Sequence, residues 1–252
     1  MSDCSLLPGR GYTECKMLFL FALACHGQLE APKCDKDPET ACFRGVFRTL
    51  LGARVEGVEV CAPEYPEISC AQTDEGGGWK IPGLPNDTDV YLTSTHPDYV
   101  DSLFPQHTSM DWYVWYKVAI PKSVMESNGN RLDVSLNAKR GHLLFLTWEG
   151  LNIDGVDTKN VSDVTASPDG NFPYLFYGNA FGLASEDLEE TTGSGTGGIL
   201  NIEPGETSVR LTGPAGSCAQ EHMFHFEASG RDIPVPILAG FTTAIDVICP
   251  VD

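Results

Sequence analysis

The chain has 252 residues, with 16 Lys and Arg against 35 Asp and Glu, for a net charge of −19. That balance excludes a nucleic-acid-binding protein, because phosphate contacts require clustered Lys and Arg. A hydrophobic content of 42% excludes wholesale disorder, and 26 Gly with 17 Pro favour many short strands and turns over long helices.

Residues Met17 to Cys25 read MLFLFALAC and follow Arg10 and Lys16. The run is shorter than the ~20 residues that span a bilayer, but long enough for the apolar region of a secretory signal. It ends in Ala22-Leu23-Ala24-Cys25, which resembles a bacterial lipoprotein signal, where the Cys is lipidated after cleavage. Residues 1–25 are expected to be an export leader and Cys25 the lipidated residue. This implies an exported protein of the outer membrane or cell surface, held to the membrane through a lipid anchor only. Residues 26–42 are polar and contain Pro, and read as a tether.

Nine cysteines are present. Cleavage removes Cys4 and Cys15 and lipidation uses Cys25, which leaves Cys34, Cys42, Cys61, Cys70, Cys218 and Cys249. Sequence locality favours Cys34–Cys42, Cys61–Cys70 and Cys218–Cys249, although six cysteines permit other connectivities. Export favours disulfides over free thiols. No CxxC pair exists to suggest a zinc ribbon or a thioredoxin-like site.

From Phe43 the pattern becomes that of strands. Phe43–Phe47, Gly57–Cys61, Ser69–Thr73, Trp79–Ile81 and Thr88–Thr95 read as a series, with Asp74-Glu75-Gly76-Gly77-Gly78 as a turn. The grammar returns from Arg140 to Phe145 and from Val161 to Ala166. It returns again in the stretch Thr196–Thr212, where Pro204, Val209, Leu211 and Thr212 fall on Pro85, Val90, Leu92 and Thr93 at one offset. The second copy carries an insertion between about Ser167 and Ser194, and Ile233–Cys249 suits its closing strands.

Strand, Gly-Val strand, Thr-Asp-x-Gly turn, aromatic strand, Pro-Gly corner and alternating strand together resemble the carboxypeptidase regulatory-like domain. The resemblance implies an all-β chain of two tandem prealbumin-like (transthyretin-like) antiparallel β-sandwiches, over residues 43–110 and 138–252. An aromatic bridge, 111–137, joins them. Within it Pro121–Ser127 suits a short helix ended by Asn128-Gly129, and Trp112, Trp115 and Tyr116 suit one helical face packed against the sandwiches. The motif is a fold signature and carries no catalytic residue.

Three kinds of chemistry bear on this frame. No Gly-x-Ser-x-Gly or other local nucleophile signature is present, so no catalytic residue is assigned and the chain is expected not to be an enzyme. The same fold underlies intradiol dioxygenases, which bind iron through two Tyr and two His. Tyr174, Tyr177, His222 and His225 imitate that list, but strand alternation sends the two His to opposite faces. Asp154, Asp157, Asn160 and Asp163, with Asn152 and Gly155, form an oxygen-rich loop of the type that holds Ca²⁺. Its spacing differs from the EF-hand, and a solvated polar loop is the competing reading. Trp79, Trp112, Tyr113, Trp115 and Tyr116 suit either a binding surface or core packing.

The expectation is a non-enzymatic exported surface protein that binds an unidentified protein or carbohydrate, or acts as a structural display module. It needs no cofactor unless the acidic loop holds Ca²⁺. The alternatives are an iron enzyme and a calcium-stiffened spacer.

Overall fold

The computed structural model describes residues 32–34, 39–49, 51–108, 114–150, 159–170, 172, 174–220 and 232–251. In chain order the elements are β1 (Thr40–Arg48), β2 (Glu59–Cys61), β3 (Ala71–Gln72), β4 (Gly78–Pro85), β5 (Asp89–Thr95), β6 (Ser102–His107), β7 (Val114–Val118) and α1 (Lys122–Arg131). There follow β8 (Gly141–Trp148), β9 (Thr165–Pro168), β10 (Leu175–Gly178), β11 (Ala184–Ser185) and β12 (Thr196–Ile202). The last are β13 (Gly205–Gly213), β14 (Gly216–Ser217), β15 (Ala219–Gln220), β16 (Ile233–Ile237) and β17 (Thr242–Ile248). Among the described residues the fold is all-β with one short helix. No helix among the described residues is long and apolar enough to cross a membrane.

In the first half, β1 lies between β4, antiparallel, and β7, parallel. β5 pairs with β2 on one side and β6 on the other, and β3 extends the row beyond β2. Side chains alternate across a strand, so each sheet turns one apolar row inward. Phe43, Phe47, Trp79 and Ile81 meet Val60, Val90, Leu92 and Phe104 in one buried cluster.

The central strand pairings of the first half recur in the second. β8 lies between antiparallel β12 and parallel β17, as β1 lies between β4 and β7. β13 lies between β9 and β16, as β5 lies between β2 and β6. The turns repeat as well. Thr73 donates its hydroxyl to Val55 O and accepts the Val58 N–H, while Thr191 donates to Val161 O and accepts the Val164 N–H. Phe47 N–H bonds Gly77 O, and Thr147 N–H bonds Gly195 O. Gly77 and Gly195 both have positive φ, at 72° and 61°. A Cβ on Gly77 would meet Phe47 O at 2.4 Å, which reserves the position for glycine.

Register refines the alignment read from sequence. Ile81 pairs with Phe43 and Ile199 with Leu143, so Ile81 corresponds to Ile199 and Gly83 to Asn201. In the next strand Glu59 pairs with Thr95 as its equivalent Thr165 pairs with Thr212, so Thr95 corresponds to Thr212 at an offset one residue shorter still, and Val90 and Val209 lie on equivalent strands two positions out of step. The corner before β13 therefore carries one residue fewer than the corner before β5, and Pro85 and Pro204 are not strict equivalents. Core volume is also exchanged across strands. Trp79 faces Gly45 in the first half, whereas Gly197 faces Phe145 in the second.

The halves meet at β17. Its Thr242 and Thr243 pair in parallel with Ser102 and Leu103 of β6, so one sheet runs β11-β10-β12-β8-β17-β6-β5-β2-β3. Ile245 and Val247 point into the second core, while Ala244 packs against the first. Asp246 accepts a hydrogen bond from Lys117 Nζ at 2.8 Å, and the Lys117 ammonium lies 5.2 Å from the Phe104 ring centroid. Trp148 Nε1–H donates to the other Asp246 oxygen at 3.3 Å. On the outer face of β10 and β12, Met125 of α1 packs with Phe176, Ala184 and Leu200.

Several local expectations change. β1 starts at Thr40, so the last residues assigned to the tether belong to a strand. α1 continues through Asn128-Gly129 to Arg131, because both residues are buried there and the Asn128 side chain accepts the Ala184 N–H at 3.0 Å. Trp115 and Tyr116 lie in a strand and not on a helical face, since β1 offers its edge to that segment; Trp112 and Tyr113 lie outside the described residues. The insertion contains β10 and β11, which widen the sheet beyond β12.

Among the described residues the disulfides are Cys34–Cys42, Cys61–Cys70 and Cys218–Cys249, with Cα separations of 6.1, 4.4 and 4.2 Å. Closure of the 31-residue separation in the last removes on the order of 3–4 kcal/mol of unfolded-chain entropy.

Two stability predictions follow from this packing. Asp246→Asn leaves a largely buried ammonium without its counter-ion and should lower unfolding stability by about 2–3 kcal/mol, while Lys117→Met with Asp246→Leu should recover most of it. Denaturant titration of the three proteins checks both. Gly197→Ala should cost ~1–3 kcal/mol in the same assay, because its Cβ would lie 2.2 Å from the Phe145 ring.

Candidate functional site

A groove of about 640 Å³ opens where the loop after α1, the insertion and the corner before β13 converge. That volume lies in the range of ligand sites. Its floor is built by Asn201, which sits at the bulge of β12 with φ 56°. Gly83 occupies the corresponding bulge of the first half, with φ 84°. Asparagine is among the few residues that tolerate this conformation, and here its side chain has a task. Asn201 Nδ2–H donates to Ser135 O at 2.9 Å, and its Oδ1 accepts the Asn137 N–H at 2.9 Å. The loop after α1 is thereby fastened to the groove floor.

Arg140 forms one wall. It donates to Asn201 O at 3.2 Å and pairs with Glu203. Phe172 and Tyr174 supply aromatic surface on the other side, and Tyr174 is 38% exposed. Asp169, Glu206 and Thr207 complete the polar lining. Asp169 and Glu206 are both exposed. The arrangement offers aromatic faces, hydrogen-bond groups and carboxylates on a pre-fastened floor, which is equipment for binding.

Beneath the floor lies His142, only 7% exposed. Its Nδ1 accepts the Asn201 N–H at 3.1 Å, which puts the ring proton on Nε2. Burial pushes its pKa down to about 4, so the groove floor rests on a neutral imidazole.

The sites expected from sequence fall elsewhere. Asn160 donates to Ser194 O, and Asp163 is the left-handed turn residue (φ 60°) that corresponds to Gly57 (φ 79°). Asp163 also accepts the Ser162 hydroxyl at 2.7 Å. Asp154 and Asp157 lie outside the described residues, as do His222, His225 and Cys25. Tyr174 lines the groove, but Tyr177 is buried in the second core, edge-on to Phe145, with its oxygen accepting the Ala166 N–H at 2.8 Å. The two phenols therefore do not converge as iron ligands would. Burial raises the Tyr177 pKa. Glu59, Cys61 and Cys70 cluster closely, but both sulfurs are bonded to each other. Trp79 is core.

Arg140, Asn201, Glu203 and Glu206 were not singled out in the sequence. The signal lay in the repeat: they stand where the second half departs from the first, at the bulge and at the shortened corner.

No protein-family model matches the chain, and no curated protein matches it. Among solved structures, the Bacillus anthracis TIE protein is similar over 83% of this chain and 34% of its own, at 9% identity and a TM-score of 0.26. The shaft pilin spaA from Lactobacillus rhamnosus GG is similar over 85% of this chain and 98% of its own, at 11% identity and a TM-score of 0.23. A Streptococcal ancillary pilin covers 84% and 63%, at 10% identity and a TM-score of 0.23. This chain spans about a third of the TIE protein chain. Likenesses at these TM-scores carry no argument about this protein, whose fold stands on its own strand pairing.

The His142 shift has a consequence for stability. With a folded pKa of about 4 against an ordinary 6.5, the unfolded chain binds the extra proton first as pH falls. The contribution is complete above pH 6.5 and lost between there and about 4, amounting to roughly 3 kcal/mol. Denaturation midpoints across this window should fall with pH in the native protein, and the slope should flatten in His142→Gln.

Proposed function

We propose that this chain is a non-enzymatic, exported surface module of two tandem prealbumin-like domains, lipid-anchored at Cys25, that presents the Arg140–Tyr174 groove to a protein partner. The observation that supports the reading is the strand pairing, in which β17 joins the second half to the first within one sheet. Such a joint makes a stiff body suited to display. Three locally closed disulfides support an oxidising compartment. Both cores are filled by apolar side chains, and the groove lies at the rim of the second sandwich, fastened by hydrogen bonds between the Asn201 side chain and the backbone of Ser135 and Asn137.

The test is peptide mapping with intact-mass measurement on protein taken from the cells that make it. The expected result is a mature terminus at lipid-modified Cys25, with Cys34, Cys42, Cys61, Cys70, Cys218 and Cys249 all oxidised. An unmodified Cys25 still preceded by Ala24 overturns the anchor. Free thiols at Cys61 and Cys70 overturn export.

A further inference from the structure

The two halves handle the same corner in opposite ways. Before β5, the corner carboxylates are satisfied internally: His107 is buried, with Nδ1 at 2.7 Å from Asp89 and Nε2 at 3.1 Å from Asp87. In the second half Glu206 stands where Asp89 does, and the residue at the His107 position is Pro236, since Asp89 pairs with His107 as Glu206 pairs with Pro236. Proline offers no side-chain hydrogen bond. The shortened corner instead carries Glu203 and Glu206 towards the groove. Arg140 pairs with Glu203, whereas neither Asp169 nor Glu206 is in an ion pair among the described residues.

We infer that the groove binds a protein segment carrying Lys or Arg, with the cationic side chain set between Asp169 and Glu206 and its stem laid over Tyr174. This rests on the groove being a presented binding site, and adds the chemistry of its occupant. A guanidinium or ammonium supplies the counter-charge that the protein itself omits here, and gains from an exposed aromatic face. The chain's net charge of −19 draws such a segment in. The acidic surface also continues beyond the groove. The Tyr91 phenol on β5 has its pKa raised by burial, then by Glu64, Glu206 and Asp89 in turn. An extended segment with spaced cations matches that continuity better than a single amine.

The experiment is calorimetric titration of the intact protein with the amidated peptide Gly-Arg-Gly-Arg-Gly, and separately with a neutral chito-oligosaccharide, at low and physiological ionic strength. The peptide should bind and weaken with salt. The double variant Asp169→Asn with Glu206→Gln should bind it about tenfold more weakly, and Tyr174→Leu about threefold or more. Glu126→Gln with Asp187→Asn removes two exposed carboxylates outside the groove and should leave the affinity unchanged. Equal weakening by both double variants overturns the inference, because the overall charge alone would then explain binding. Tyr174-dependent binding of the sugar without the peptide overturns the occupant's class and leaves a binding groove. Failure of both probes overturns the inference while the lipid and disulfide results above still stand or fall by themselves.

Discussion

One strand is asked to satisfy two cores. β17 is flanked by β8 and, at its start, by β6, and its two faces belong to different sandwiches. Odd-numbered Ile245 and Val247 fill the second core. Even-numbered Ala244 and Asp246 face the first half, the latter across the Lys117 ammonium. Because side chains alternate strictly along a strand, a slip of one residue would place Asp246 in the second core and Ile245 against Lys117. The ion pair therefore fixes the register of β17 as well as the seat of one half on the other. A pair of this kind adds little net stability over an apolar contact, but either partner left alone is costly.

Repetition sets a baseline against which use can be seen. Turn threonines, left-handed turn positions and β pairing recur in both halves, and these residues are occupied in making the fold. The second copy departs at a few points: Asn201 for Gly83, a shorter corner, Pro236 for His107, and two added strands. All but the added strands bear on one rim, and Phe172 and Tyr174 of the insertion lie beside it. A fold that has already satisfied its backbone can alter a corner without disturbing its core, which is where loops carry function.

Much of the fold could be read in advance because its determinants are local. Alternation in Val90–Thr95, the Asp74 turn and the short Cys61–Cys70 loop each declare themselves within a dozen residues. The Asp74 carboxylate accepts the Gly76 and Gly78 N–H groups at 2.8 and 2.9 Å, a turn device visible in the residue order itself. What escaped depends on distant partners. Trp115 reads as well on a helix as on a strand, and only the free edge of β1 decides. The run through Asn128-Gly129 looks like a stop signal until Ala184, fifty-six residues away, supplies the amide that Asn128 accepts. The groove escaped for the same reason, since Arg140, Tyr174 and Glu203 come from three separate segments.

The joint at β17 also orders events in time. Lys117 and Asp246 are separated by 129 positions, so their contact closes one of the longest loops in the chain, and such contacts form slowly. During synthesis the first sandwich can assemble while the edge of β6 at Ser102 and Leu103 still awaits its neighbour. An uncovered strand edge is a template for pairing with another chain. The nascent protein thus carries an adhesive edge until residues 242–248 emerge and cover it, and the interval before that moment is when a holding chaperone would matter most.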